Sequence, residues 1–361
     1  MPGTGERAYA YAKACGIIGK SIIGKRINRL EAVGRLSELD RLVFPLSARD
    51  LPEKELLVDL ESRIITRSVN SIVPIVDSYS RPLKFLILLL RGYEYADLKN
   101  VISALLEGGK TIPAHTDLGR FQTVRFEAWP DLPAMLKGTE FGFLLDEKGR
   151  LRKELDGVSV LSALDRYYYS ALWLSLSSLS RNDRLITERI LSDEISLKNS
   201  CWALRLRTYY RKSPDEVKLH LIDKPVQIVP AQPAAGGKRK PRPESKTGFR
   251  SRSLAREALQ SLEFPLDSFD AWSSWRWKKL LNPESGEGLW TADPRYFQNA
   301  ASLYLFRLAR RYFRSRPFLL STIFCFVKLK QFEEDILTSS AEGLGMGMSG
   351  KDIISALGLE P

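Results

Sequence analysis

The sequence predicts an all-α protein, and three observations predict it. Apolar residues recur at helical spacing, as in Phe297, Ala301, Tyr304 and Leu308, and again in Tyr169, Trp173, Leu176 and Leu179. Helix-start signatures recur as well. Asp293 is followed by Pro294 in the first helical position, where a missing N–H costs nothing, and Ser213 with Glu216 and Ser349 with Asp352 form capping boxes. Period-two alternation is scarce; Gln122–Phe126 is its best stretch, and it is short.

Along the chain, Glu6–Ala14 reads as a helix. The most apolar runs, Leu83–Leu90 and Phe318–Val327, are far shorter than the roughly 20 residues of a membrane helix, so each is expected to be a buried core helix. The opening residues lack the uninterrupted apolar stretch of a secretory signal, so a soluble or membrane-peripheral protein is expected. With 361 residues, 44% of them apolar, the chain is long enough for two or three domains with real cores. Cys15, Cys201 and Cys325 are isolated and odd in number, which excludes a disulfide framework and fits a reducing compartment.

A threefold internal repeat is the most informative pattern. Glu31-Ala32-Val33, Glu127-Ala128-Trp129 and Asp270-Ala271-Trp272 begin three similar stretches, each followed by short apolar periodicity. A second marker follows: Leu98-Lys99-Asn100 and Leu197-Lys198-Asn199 are identical, and Glu334-Asp335-Ile336 stands in the third place, with Asp335 where the others have Asn. Ser213 and Ser349 then begin matching capping segments. Asp165-Arg166-Tyr167-Tyr168 parallels Asp293 to Phe297, and Ser80-Arg81-Pro82 parallels Ser315-Arg316-Pro317 ahead of the two apolar helices. The expected organisation is repeat unit 1 at 1–118, unit 2 at 119–224, a basic insertion at 225–256 and unit 3 at 257–361.

The net charge of +12 is concentrated in one place. Between Gly236 and Arg256, Lys238, Arg239, Lys240, Arg242, Lys246 and three further arginines face only Glu244. This stretch is rich in Pro, Gly and Ser and has no apolar periodicity, so it is expected to be a flexible connector. The rest of the chain is only mildly basic, which weakens a nucleic-acid reading.

No reactive constellation emerges. His115 and His220 have no Cys or carboxylate at metal-ligand spacing, and surface or packing roles are expected for both. Cys15-Gly16-Ile17-Ile18-Gly19-Lys20-Ser21 imitates the end of a phosphate-binding loop, but Ala14 replaces the required first Gly and no strand precedes it. Glu333-Glu334-Asp335 and Asp193-Glu194 are neighbours along a helix, which do not face one another as an acid–base pair would. No catalytic, cofactor-binding or metal-binding residue is assigned, and no cofactor is expected.

The sequence resembles the central-stalk C subunits of archaeal and bacterial V/A-type ATPases, counterparts of the eukaryotic V-ATPase d subunit. The resemblance runs through Ala8-Tyr9-Ala10-Tyr11-Ala12, the two Leu-Lys-Asn triplets, the Asp165-Arg166-Tyr167-Tyr168 helix start and the Ser213–Val217 cap. It is strongest from Arg316-Pro317-Phe318 through Lys328-Leu329-Lys330 and Ala341-Glu342-Gly343 to Met348–Ile354. What the resemblance implies is a funnel or collar of three similar helical domains about a pseudo-threefold axis. One such subunit per complex would seat on the cytoplasmic face of the membrane proteolipid ring. It would receive the foot of the shaft, the D and F subunits, and couple rotation to H⁺ or Na⁺ transport without catalysis of its own. The basic stretch adds an expected contact with anionic lipid headgroups that salt should weaken. A helical-repeat scaffold or nucleic-acid-binding protein using 236–256 remains open from the residues alone, and further behind it an enzyme using clustered carboxylates.

Overall fold

A computed structural model describes residues 3–152, 157–223, 253–284 and 289–359. Most of the basic connector therefore lies outside the described residues. Within them the chain forms twelve α-helices: α1 Thr4–Ile18, α2 Leu36–Val43, α3 Glu53–Asp77, α4 Lys84–Leu106, α5 Leu132–Leu136, α6 Gly157–Ser175, α7 Arg181–Thr208, α8 Pro214–His220, α9 Arg256–Ser261, α10 Pro294–Ser315, α11 Leu320–Gly345 and α12 Gly350–Ala356. There is no named strand among them, only one isolated bridge between Leu145 and Leu151. The fold is all-α.

The end signatures act as the sequence predicts. The Asp293 side chain accepts the Arg295 N–H at 2.8 Å to start α10. Ser213 with Glu216 and Ser349 with Asp352 form reciprocal capping boxes on α8 and α12. Gln122–Phe126 is not a strand. The Glu94 carboxylate takes the amides of Thr123 and Val124, the second at 2.6 Å, so these donors are satisfied by a side chain and need no neighbouring strand. The Asp165 tetrad is not a helix start either, since α6 begins at Gly157 and Asp165 lies in its middle.

The same order of elements occurs three times. A 3-10 turn (Gly24–Leu30, Phe126–Ala128, Asp270–Trp272) leads to a short helical segment (α2, α5 and the 3-10 turn Lys278–Leu280). Two long helices joined by a short turn follow: α3 and α4, α6 and α7, α10 and α11. The long helices touch in cyclic order, α3 to α4, α6, α7, α10, α11 and back to α3, with α11 also reaching α1, α4 and α7. Accordingly α11 is deeply enclosed, with Phe324 and Phe326 wholly buried. Each such side chain contributes about 2–3 kcal/mol by leaving water.

The main core is continuous from Ala10 to Ile354 and takes residues from all three stretches. A second core gathers Trp272, Trp275, Trp277 and Trp290 against Leu197 and Leu204 of α7. Their buried indole N–H groups are matched: Trp272 donates to the Pro265 carbonyl at 2.8 Å, and Trp277 to the Ser196 hydroxyl at 3.0 Å. The three turns between long helices come together at one end. Asp183, in the first turn of α7, accepts the Ser321 N–H of α11 at 3.0 Å, and Tyr79 between α3 and α4 is buried in the field of Asp183 and Glu6.

Candidate functional site

The second marker of the repeat lies on α4, α7 and α11, and in all three its charged residues reach a common polar seam. Asp165 of α6 is the junction. Its carboxylate receives the Lys99 ammonium of α4 at 2.6 Å on one oxygen and the Lys198 ammonium of α7 at 3.3 Å on the other. Lys198 also lies 5.5 Å from the centre of the Tyr169 ring. The Tyr169 hydroxyl donates to Glu194 at 2.9 Å, and Lys328 of α11 reaches the same carboxylate oxygen at 2.7 Å. Four helices are thereby tied by charge-assisted contacts, which are stronger than neutral ones.

Electrostatics follow from this crowding. Burial lowers the Lys99 ammonium, an effect that Asp165 opposes. Desolvation pushes the Asp335 carboxyl up to about 6, against the pull of Lys328 and Lys198, although its side chain is open to solvent. Next to it, desolvation pushes Glu334 up to about 7 while the Tyr93 hydroxyl of α4 donates to it at 2.9 Å. The same hydroxyl lies 3.4 Å from Ser68 of α3, so the seam extends to α3.

Further buried charges tie other elements. Glu333 is paired with Lys330 and accepts the Ile22 N–H at 2.7 Å. Arg91 binds Glu94 at 2.8 Å, Glu140 at 3.1 Å and the Thr123 hydroxyl at 2.6 Å. Asp193, buried in α7, receives Arg276 at 2.5 Å and the Tyr304 hydroxyl at 2.7 Å. Asp193 and its neighbour Glu194 therefore serve different partners, as adjacent helical positions require.

The remaining candidates have structural places. The ring of His115 packs 4.6 Å from that of Phe126. His220 Nδ1 is 3.0 Å from the Ser162 hydroxyl, which is buried and lies 3.1 Å from the Ser159 carbonyl oxygen. The phosphate-loop imitation is the end of α1, where Ser21 donates back to the Ile17 carbonyl at 3.2 Å. Cys325 is buried and its thiol is raised by desolvation. No cluster of three or more His, Cys, Asp or Glu able to hold a metal ion occurs among the described residues. The seam can hold helices in register, with Lys99 and Lys198 paired to Asp165 and Lys328 paired to Glu194.

Asn199 also has a specific task. Its side chain donates to the Ile222 carbonyl at 2.8 Å and accepts the Ile222 N–H at 2.8 Å. It further contacts the Leu254 carbonyl at 3.3 Å, so one amide clasps both edges of the chain flanking the basic stretch. The sequence marked Lys99, Lys198 and Asn199 by repetition without revealing what they bind. It missed Arg91 and Glu94 as ties, although charges inside the otherwise apolar α4 were a usable signal, and it singled out Asp193 without its partners.

Two comparisons bear on identity. Over 342 residues the chain is 28% identical to an uncharacterized protein of Treponema pallidum (strain Nichols), covering 94% of this chain and 92% of that one. The family model described as ATP synthase (C/AC39) subunit matches residues 50–232, from just before α3 to beyond α8, and so takes in Lys99, Asp165, Lys198 and Glu194. With an all-α fold and half of its length matched, the chain belongs to the ATP synthase (C/AC39) subunit family of V/A-type ATPases.

Proposed function

We propose that this chain is the central-stalk adaptor of a rotary V/A-type ATPase, a rotor part with no catalysis of its own. It seats on the cytoplasmic face of the proteolipid ring, peripheral to the membrane, and forms a socket for the foot of the D and F shaft subunits. In that place one copy passes torque between ATP-driven rotation and H⁺ or Na⁺ movement. No helix among the described residues is long and apolar enough to cross a membrane, which suits a part that rests on one.

The observation that carries the reading is the threefold order of elements with its cyclic helix contacts, in a member of this family. Three units of this kind about one axis make a collar, with boundaries near 118, 224 and 256. Torque transfer needs units that do not slip on one another. The seam supplies this through Lys99, Asp165, Lys198, Glu194 and Lys328, which lock helices from all three units.

An affinity-tagged chain recovered from detergent-solubilised membranes tests the proposal. Proteolipid and shaft subunits should be recovered with it in one complex. If the remaining ATPase subunits assemble and rotate in a strain lacking this chain, the adaptor role is refuted.

A further inference from the structure

We propose that the end of the molecule where the three turns meet is a contact surface for anionic phospholipid headgroups. Each turn between long helices carries the same step: Ser80-Arg81, Ser180-Arg181 and Ser315-Arg316. All three arginines are exposed, and none has a side-chain hydrogen bond or ion pair among the described residues. Arg181 opens α7, where the helix dipole disfavours a cation, so local stability does not account for it. Exposed Lys84 and Arg314 add charge beside two of the turns.

The turns share one end because Asp183 of one holds Ser321 of another and also lies in the surroundings of Tyr79 in the third, whose next residue, Ser80, donates its N–H to Glu6 of α1 at 2.8 Å. The nearby carboxylates are already engaged. Glu6 is held by the amides of Ser80 and Gly3, Asp77 by Arg120 at 2.7 Å, and Asp183 is buried under the Ser180 hydroxyl at 2.6 Å. The three arginines, with Lys84 and Arg314 beside them, face outward without such partners, and a guanidinium takes a phosphate through paired N–H bonds.

Apolar groups at the same end decide which anion is meant. Phe318, 50% exposed, follows Arg316 by two residues, and Leu185, 60% exposed, follows Arg181 by one turn. Basic side chains interspersed with exposed Phe and Leu suit the boundary of headgroup and acyl chain. The surface is independent of the rotor reading, since lipid vesicles test it without the ATPase.

The experiment is co-sedimentation of the full chain with vesicles of phosphatidylcholine alone and with added phosphatidylglycerol. Binding is expected only to the second kind and should weaken with salt. Arg81→Gln, Arg181→Gln and Arg316→Gln should each lower partitioning about fivefold, on the order of 100-fold together, given what one cation near such a surface contributes. The same three substitutions in a chain lacking residues 236–246 separate this surface from the basic connector and should lower binding by a similar factor. Because these side chains hold nothing in the fold, an unchanged urea midpoint checks the variants. A triple variant that partitions like the parent in both backgrounds overturns the proposal. So does one that keeps vesicle binding but loses the solubilised membrane sector, which would assign the surface to an acidic protein.

Discussion

Replacing Glu334 by Gln should stabilise the protein at alkaline pH and change little at acid pH. The carboxyl is pushed from 4.5 to about 7, chiefly by burial, with Tyr93 and Ser68 opposing the rise and Asp335 adding to it. A folded value above the unfolded one means the native state holds the proton more tightly. The associated stability is complete below about pH 4.5, declines as pH rises through the interval to about 7, and is absent above it. Carrying the ionised form therefore costs about 3 kcal/mol at pH 8. Gln keeps an oxygen to accept from the Tyr93 hydroxyl without the charge. Urea denaturation should show the variant more stable by about 2–3 kcal/mol at pH 8 and by less than about 1 kcal/mol at pH 5. Asp335 titrates in parent and variant alike, so it largely cancels in the comparison. An equal gain at both pH values, or a loss at pH 8, would show that the charged group is stabilised by its surroundings and refute the reasoning.

Other perturbations test the packing. Asp165→Ala leaves the Lys99 and Lys198 ammonium groups without their shared partner and should cost about 2–3 kcal/mol in urea, with Lys99→Met in the same background recovering part of the loss. A Cβ at Gly92 would lie 2.7 Å from the Tyr168 hydroxyl oxygen, so Gly92→Ala should lower stability by about 1–3 kcal/mol, and Tyr168→Phe should partly restore it. At Gly350 a Cβ would meet the Leu30 carbonyl oxygen at 1.9 Å. Gly350→Ala should therefore undock α12, seen as faster amide exchange over residues 350–356 while α3 and α11 stay protected.

Periodicity and caps made the helices legible, because both are local: three or four residues decide a cap, and one face decides a helix. Repetition made Lys99 and Lys198 visible, but only the crossing of α4 and α7 over α6 shows that both converge on Asp165. That pairing joins residues 66 positions apart in one case, and nothing local encodes it. The reading of Asp165 as a helix start failed for a related reason. An Asp ahead of an aromatic run looks like a cap, whereas here Gly157 opens the helix and the carboxylate points to two lysines. Gln122–Phe126 misled through alternation alone, since the deciding partner, Glu94, lies far back along the chain.

Buried charge at helix crossings needs a reason, because an apolar replacement of similar shape is often as stable. The reason lies in what each kind of contact tolerates. An apolar seam can repack after one helix slides a turn past another. A slide of one turn, about 5.4 Å, would carry Lys99 away from Asp165 and leave both ions poorly paired in a partly dehydrated place. The Glu194 carboxylate, shared by Tyr169 and Lys328, imposes the same condition between α6, α7 and α11. The continuous core supplies the stability, and the seam forbids the shifted registers. A body that must be turned from one end while loaded at the other needs the second property more than the first.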